Sequence, residues 1–209
     1  MELKARFRGY LPVVLDLETG GFDANQNPLL ELACTFLDWE VADQKLTVAE
    51  THAWDVEPFS GSTVDPASLK VTGIDLDSSA RAALDEKVVL SEFFKQVRSQ
   101  MKAAGCHRAV MVAHNAAFDA TFLSTACARA GLKRNPFHPF TTIDTAALGA
   151  VAHGHTVLSE ICRRANIEFQ HMEAHSARYD AERTAQVFCQ IVNSWSVEPG
   201  NWFPEPVEG

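Results

Sequence analysis

Leu11-Pro12-Val13-Val14-Leu15-Asp16-Leu17-Glu18-Thr19-Gly20-Gly21-Phe22 is the stretch on which the reading of this chain turns. Five apolar, partly β-branched residues run into two carboxylates spaced i, i+2 and then into a Gly-Gly break. A short continuous apolar run bounded by a turn signal reads as a buried strand. Strand side chains alternate faces, so Asp16 and Glu18 project to the same side of the sheet at the strand's carboxyl end. Two like charges held that close resist ionisation unless a cation intervenes. Taken alone, the pair fits two solvated carboxylates as well as it fits ligands for a hard cation. The choice between these needs partners elsewhere in the chain.

Working outward, Pro28 to Trp39 and Leu46 to Val56 read as two further strands, and three strands in succession suggest an antiparallel meander. Asp65-Pro66 opens a short helix stopped by Gly73, and residues 75–87 read as a surface connection. Val89, Leu90, Phe93, Phe94, Val97 and Met101 fall at helical spacing, with Gly105 past the end. Arg108 to Ala113 is another buried strand, after which Asn115 is expected to cap a helix running to Gly131. Phe140 to Asp144 reads as a fifth strand, followed by helices around 145–152 and 156–165. A last helix starts near Ser176 and carries one apolar stripe, Val187, Phe188, Ile191, Val192 and Trp195. Three strands followed by strand–helix alternation predict an α/β domain with a mixed sheet of five strands flanked by helices. The expected organisation is a basic arm over residues 1–10, one domain over 11–196 and a disordered Pro-, Gly- and Glu-rich tail over 197–209.

A chain of 209 residues that is 46% hydrophobic suits a single domain with a real core. No stretch approaches the roughly 18 apolar residues of a membrane helix, and the start lacks a signal-peptide pattern. Cys34, Cys106, Cys127, Cys162 and Cys189 are odd in number and scattered, with no C-x-x-C pair. That usage points to small buried thiols in a reducing cytoplasm, with no membrane partner, rather than to a disulfide frame or a zinc site.

The net charge of −9 argues at first against a polyanionic partner, but the charge is segregated. Residues 1–10 carry a balance of +2, residues 11–94 one of −12, residues 95–134 one of +6 and residues 135–209 one of −5. A basic arm and a basic middle within an acidic chain make a footprint for phosphate, although each such residue taken alone fits an ordinary solvated face.

Two more segments hold candidate chemistry. Asp119, in His114-Asn115-Ala116-Ala117-Phe118-Asp119, sits in the first turns of a helix that follows a strand, where α/β folds assemble ligand sites. In His175-Ser176-Ala177-Arg178-Tyr179-Asp180, a spacing of five places His175 in the lead-in loop and Asp180 inside the helix. The order Asp-x-Glu, Asp, His-x4-Asp is far more specific than any member. It resembles the DEDD superfamily of 3′–5′ exonucleases, the DnaQ-like enzymes, in the branch whose fifth residue is histidine (DEDDh). The tyrosine branch does not fit, because its tyrosine position is Ser176 here. Phe7 to Val14, Lys133 to Phe140, Asp144 to Leu148 and Ala174 to Asp180 carry the likeness further, to the RNA-trimming members of that branch.

The resemblance implies a ribonuclease H-like fold. It also implies two Mg2+ ions, replaceable by Mn2+, held by Asp16, Glu18, Asp119 and Asp180, with His175 as the proton acceptor. Phe22, Phe118 and Phe140 match base-stacking positions, and Arg6, Arg8, Lys102, Arg108 and Lys133 match a basic patch. In such a homodimer one subunit's patch feeds RNA, and also DNA, 3′ ends to the other's metal site. The implied function is trimming of single-stranded 3′ ends on structured RNA (tRNA end turnover, stable RNA maturation), releasing 5′-mononucleotides. Ala67 and Val71 depart from the glutamate and phenylalanine of those members, which puts an aversion to 3′-terminal cytosine in question. The alternatives are a proofreading DNA exonuclease subunit and an inactive module that binds 3′ ends. Glu31 could be a fifth ligand and His153-Gly154-His155 a transition-metal site. The simpler readings are a hydrogen-bonded or outward strand residue and a solvated turn, and Asp144 is most simply an N-cap.

Overall fold

The strand expected around Asp16 is β1, Tyr10–Thr19, the middle strand of a five-stranded sheet ordered β3-β2-β1-β4-β5. The computed structural model describes residues 3–195. β2 (Leu29–Glu40) and β3 (Lys45–Asp55) complete the antiparallel meander, and β4 (Arg108–Ala113) and β5 (Phe137–Asp144) run parallel to β1. The helices are α1 (Pro66–Thr72), α2 (Glu86–Ala103), α3 (Ala116–Arg129), α4 (Thr145–His153), α5 (Leu158–Arg164) and α6 (Ala177–Ser194).

Side-chain alternation along β2 assigns the two sheet faces. Leu32 pairs with Trp54, whose ring meets Phe93 of α2 at 6.2 Å. Ala33, one residue on, faces the other way and packs with Ala177 and Ala181 of α6. The small side chains at these three positions let α6 lie close to the sheet. Asp16 pairs with Ala33 and Glu18 with Glu31, so the carboxylates of β1 share the α6 face.

Local chemistry explains the helix starts. Asp65, Asp85 and Asp144 each accept the N–H two residues on, as N-caps do, and Gly73 closes α1 in the left-handed region. Asn115 departs from its expected role. Its backbone is left-handed (φ 64°), its side chain makes no capping bond, and its own N–H is instead held by Asp144 Oδ1 at 3.2 Å. The fifth strand begins at Phe137, three residues earlier than its sequence signals, because the buried Phe137 ring joins Phe93 and Phe94 in the core. Phe140 therefore lies inside an edge strand rather than at its opening. Residues 3–9 form two short 3-10 turns that bury Leu3 and set Phe7 against Phe188 at 5.9 Å. The expected tail over 197–209 lies outside the described residues. All five cysteines are buried as free thiols, and no described helix is long and apolar enough to cross a membrane.

The loop after β1 is pinned from two sides. Arg129, at the end of α3, forks onto Glu86, donates to the Ala24 carbonyl at 3.2 Å and lies 3.8 Å over the Phe59 ring. Asn27 accepts from Asp23 N–H and donates to the Thr63 carbonyl, each at 2.8 Å. Gly21 sits against that amide with φ +153°, where a Cβ would come within 2.4 Å of Asn27 Oδ1. Gly131, past the end of α3 with φ +69°, has open space instead. Gly131→Ala is expected to cost only the left-handed penalty of about 1–2 kcal/mol. Gly21→Ala is expected to cost more, because the Asn27 bonds must break as well. Urea unfolding of the two variants checks the order.

Candidate active site

Four carboxylates meet where the carboxyl end of β1 approaches the first turns of α3 and α6. Glu18 and Asp119 are buried, and Asp16 and Asp180 are half-buried. No cation among the described side chains is paired with Asp16, Glu18 or Asp119, and the electrostatics record the strain. Burial, then repulsion from Asp119, Glu18, Asp180 and Glu31, pushes Asp16 well above the ordinary carboxylate range. Burial and the neighbouring Asp180, Glu31 and Asp119 raise Glu18 to about 8. Asp119 is raised to about 8, chiefly by burial, with the nearby backbone N–H groups of Asp119 itself and Leu17 offsetting part of the rise.

α6 brings the remaining pair. His175 lies in the loop before it, exposed and left-handed (φ 66°), and its N–H donates to Asp180 Oδ2 at 2.9 Å. The spacing of five thus closes a loop onto its own carboxylate. Burial raises Asp180, and the His175 N–H offsets part of that rise. Asp180 Oδ1 is buried without a hydrogen-bond partner. Among the described residues, one group offers ligand atoms mutually within 4.8 Å, namely Glu18, His175 and Asp180. Asp16 and Asp119 fall outside that radius while remaining electrostatically coupled to it. An orphaned carboxylate oxygen among repelling hard oxygen donors fits a divalent cation such as Mg2+ or Mn2+.

Other candidates fall into place around this cluster. A groove of about 380 Å3 opens on it, lined by Glu18, Phe22, Ala67, Val71, Phe118 and His175 among others. Phe22 is 86% exposed and meets Phe118 edge-on at 6.3 Å, and Phe118 is backed by Phe122 at 4.8 Å. Phe140, 85% exposed, is not part of that lining and stands on β5 against His138. Glu31 is a hydrogen-bonded strand residue, its Oε2 accepting from Ala177 N–H at 3.0 Å. Asp144 caps α4. His153 and His155 join no metal-holding group among the described residues.

The basic positions lie elsewhere. Arg6 and Arg8 precede β1, Lys102 ends α2, Lys133 precedes β5, and Arg108 opens β4 opposite Tyr10, the first residue of β1. Asp16 lies six residue steps along the strand from Tyr10, roughly 20 Å at the rise of a strand.

Sequence reasoning passed over one residue of this region. His114 donates from Nε2 to the Thr156 carbonyl at 2.8 Å and meets the Thr145 hydroxyl at 3.0 Å, tying the β4–α3 turn to α4. Burial lowers its pKa. Its partners lie 31 and 42 residues away, so no local signal points to them.

Comparison with known proteins agrees with this geometry. The exonuclease family model matches residues 13–188. Ribonuclease T of Shewanella frigidimarina (strain NCIMB 400) is 51% identical over 201 residues, 96% of this chain and 90% of that one. The nuclease domain of 3′hExo, a DEDDh family member bound to rAMP, superposes with a TM-score of 0.65 at 16% identity, over 88% of this chain and 92% of that one. E. coli Exonuclease I in complex with a dT13 oligonucleotide gives 0.66 at 15% identity, over 88% of this chain and 41% of that one. The chain therefore belongs to the exonuclease family, with ribonuclease T among its relatives, and is a hydrolase acting on nucleic acid.

Proposed function

We propose that this exonuclease trims single-stranded 3′ ends of structured RNA, and of DNA, in a Mg2+-dependent reaction that releases 5′-mononucleotides. The observation that carries the reading is the orphaned Asp180 Oδ1 beside Glu18 and His175, at the mouth of a groove lined by Phe22 and Phe118. Asp16, Glu18, Asp119 and Asp180 would hold two divalent cations. When bound, these lower the pKa of water and stabilise the leaving 3′ oxygen. The chain's own groups do the rest. Phe22 and Phe118 stack the terminal bases and orient the last phosphodiester toward the carboxylates. Phe140, exposed on the β5 edge, extends that grip. His175 accepts the proton of the attacking water at its imidazole as the P–O3′ bond breaks, and the departing 3′ oxygen takes a proton from solvent. The left-handed backbone at His175 keeps the imidazole at the groove, because its N–H is spent on Asp180.

The separation of the basic residues from the carboxylates supports a homodimer. Arg6, Arg8, Lys102, Arg108 and Lys133 gather at the far end of β1 and β4, where they serve a partner's site more readily than their own. Roles in tRNA end turnover and stable RNA maturation belong to the same proposal. Buried free thiols favour a reducing cytoplasm.

The reading is tested by a time course on 5′-labelled single-stranded RNA and DNA with and without Mg2+. A metal-dependent ladder shortening from the 3′ end is expected. A flat trace with binding intact would point to an inactive end-binding module. Asp119→Ala should abolish turnover while leaving end binding in place, read by gel shift. Phe22→Ala and Phe118→Ala should each weaken 3′-end binding by about 1–3 kcal/mol, roughly 5- to 150-fold in Kd.

A pH dependence follows from the raised carboxyls. Unfolded Asp and Glu titrate near 4, whereas Glu18 and Asp119 titrate at about 8 in the folded protein. Between those values the folded state holds protons that the unfolded chain has lost, so metal-free stability falls as pH rises. Thermal melts in EDTA should drop between about pH 5 and pH 8, and Mg2+ should remove much of the drop.

A further inference from the structure

We infer that Glu31 is a positioning residue that fixes the first turn of α6, and with it His175 and Asp180, against the carboxylate strand. The inference rests on the assignment of those two residues to the active site.

A helix begins with backbone N–H groups that have no intrahelical partner, and an N-cap side chain ordinarily satisfies one. Ser176 occupies that position in α6 and makes no capping bond. The first amide of the helix, Ala177 N–H, is taken by Glu31 Oε2 at 3.0 Å, from a residue 146 positions away. Glu31 pairs with Glu18 across β1 and β2 and points to the same face. One side chain on β2, opposite Glu18 of β1, therefore reaches across to the helix that carries Asp180. Ala33, two residues along the same face, packs with Ala177 and Ala181 and leaves the turn little room to slide. A second tether, Arg178 to the Thr51 carbonyl at 3.2 Å, joins the same turn to β3. The turn so held closes the His175 N–H onto Asp180 Oδ2 and leaves Oδ1 free. Glu31 acts through its reach and its acceptor oxygen, without touching the reacting atoms.

Two conservative variants separate this role from one that depends on charge. Glu31→Gln keeps the length and an acceptor oxygen but removes the charge. Glu31→Asp keeps the charge and shortens the reach by one methylene. On full-length protein with 5′-labelled single-stranded RNA and Mg2+, Glu31→Asp is expected to lower kcat by about 10- to 100-fold, as loss of a group that orients a ligand does. KM should change little. Glu31→Gln should stay within about fivefold of wild type, the factor a weaker neutral hydrogen bond allows. Hydrogen exchange should show the α6 N-terminal amides deprotected in Glu31→Asp and protected in Glu31→Gln. The reverse order of activities, or wild-type activity in Glu31→Asp with those amides exposed, overturns the inference. Asp180→Asn run alongside keeps the two readings apart. If it is active, the site assignment itself fails. If it is inactive while both Glu31 variants turn over normally, only the positioning role is lost.

Discussion

Mutual repulsion among acids governs this structure. Asp16, Glu18, Asp119 and Asp180 are packed at one end of a buried strand, with Glu31 close behind, and among the described residues no basic side chain is paired with Asp16, Glu18 or Asp119. Folding has to hold that arrangement against both desolvation and like-charge repulsion. The surroundings answer with backbone donors instead of cations. His175 N–H serves Asp180, and Ala177 N–H serves Glu31. Amide donors stabilise the carboxylates without neutralising the site, so its appetite for a divalent ion survives folding.

The rest of the architecture supports that end of the sheet. β1 is central, so the acids rest on a strand hydrogen-bonded on both sides. α3 and α6 deliver their acids from first turns, where the helix dipole favours negative charge. The apolar groove stands beside them on a loop pinned by Arg129 and Asn27, so Phe22 is offered to solvent on a fixed support.

Much of this was legible in the chain itself. The apolar run into Asp16-Leu17-Glu18 gave the strand and the shared face of its carboxylates, because period-two alternation needs no tertiary knowledge. The helical stripe before Gly105 was equally plain, and that of α6 holds at Val187, Phe188, Ile191 and Val192 but not at Trp195, which lies past the helix end and is 53% exposed. What escaped depended on partners distant in sequence. Asn115 looks like a cap by residue type, yet Asp144, 29 residues on, captures its N–H and the side chain is released. The start of β5 was misplaced because Pro136-Phe137-His138-Pro139 reads locally as a turn, whereas Phe137 is drawn into the core by Phe93. Glu31 was recognisable as a strand residue, either outward or hydrogen-bonded. The identity of its partner was not, since nothing near Glu31 announces Ala177.

The thiols give the fold a chemical temperament of its own. Burial raises Cys34 and Cys189 to about 12 and Cys127 and Cys162 to about 11, and lifts Cys106 as well. Thiolate is the form that attacks peroxide and disulfides, and each of these sulfurs is both shielded and almost wholly protonated. The site is built from oxygen and imidazole nitrogen, and its scaffold sulfurs are slow to oxidise. Among the described residues Met172, 97% exposed on the loop that leads into α6, is the methionine most open to oxidants.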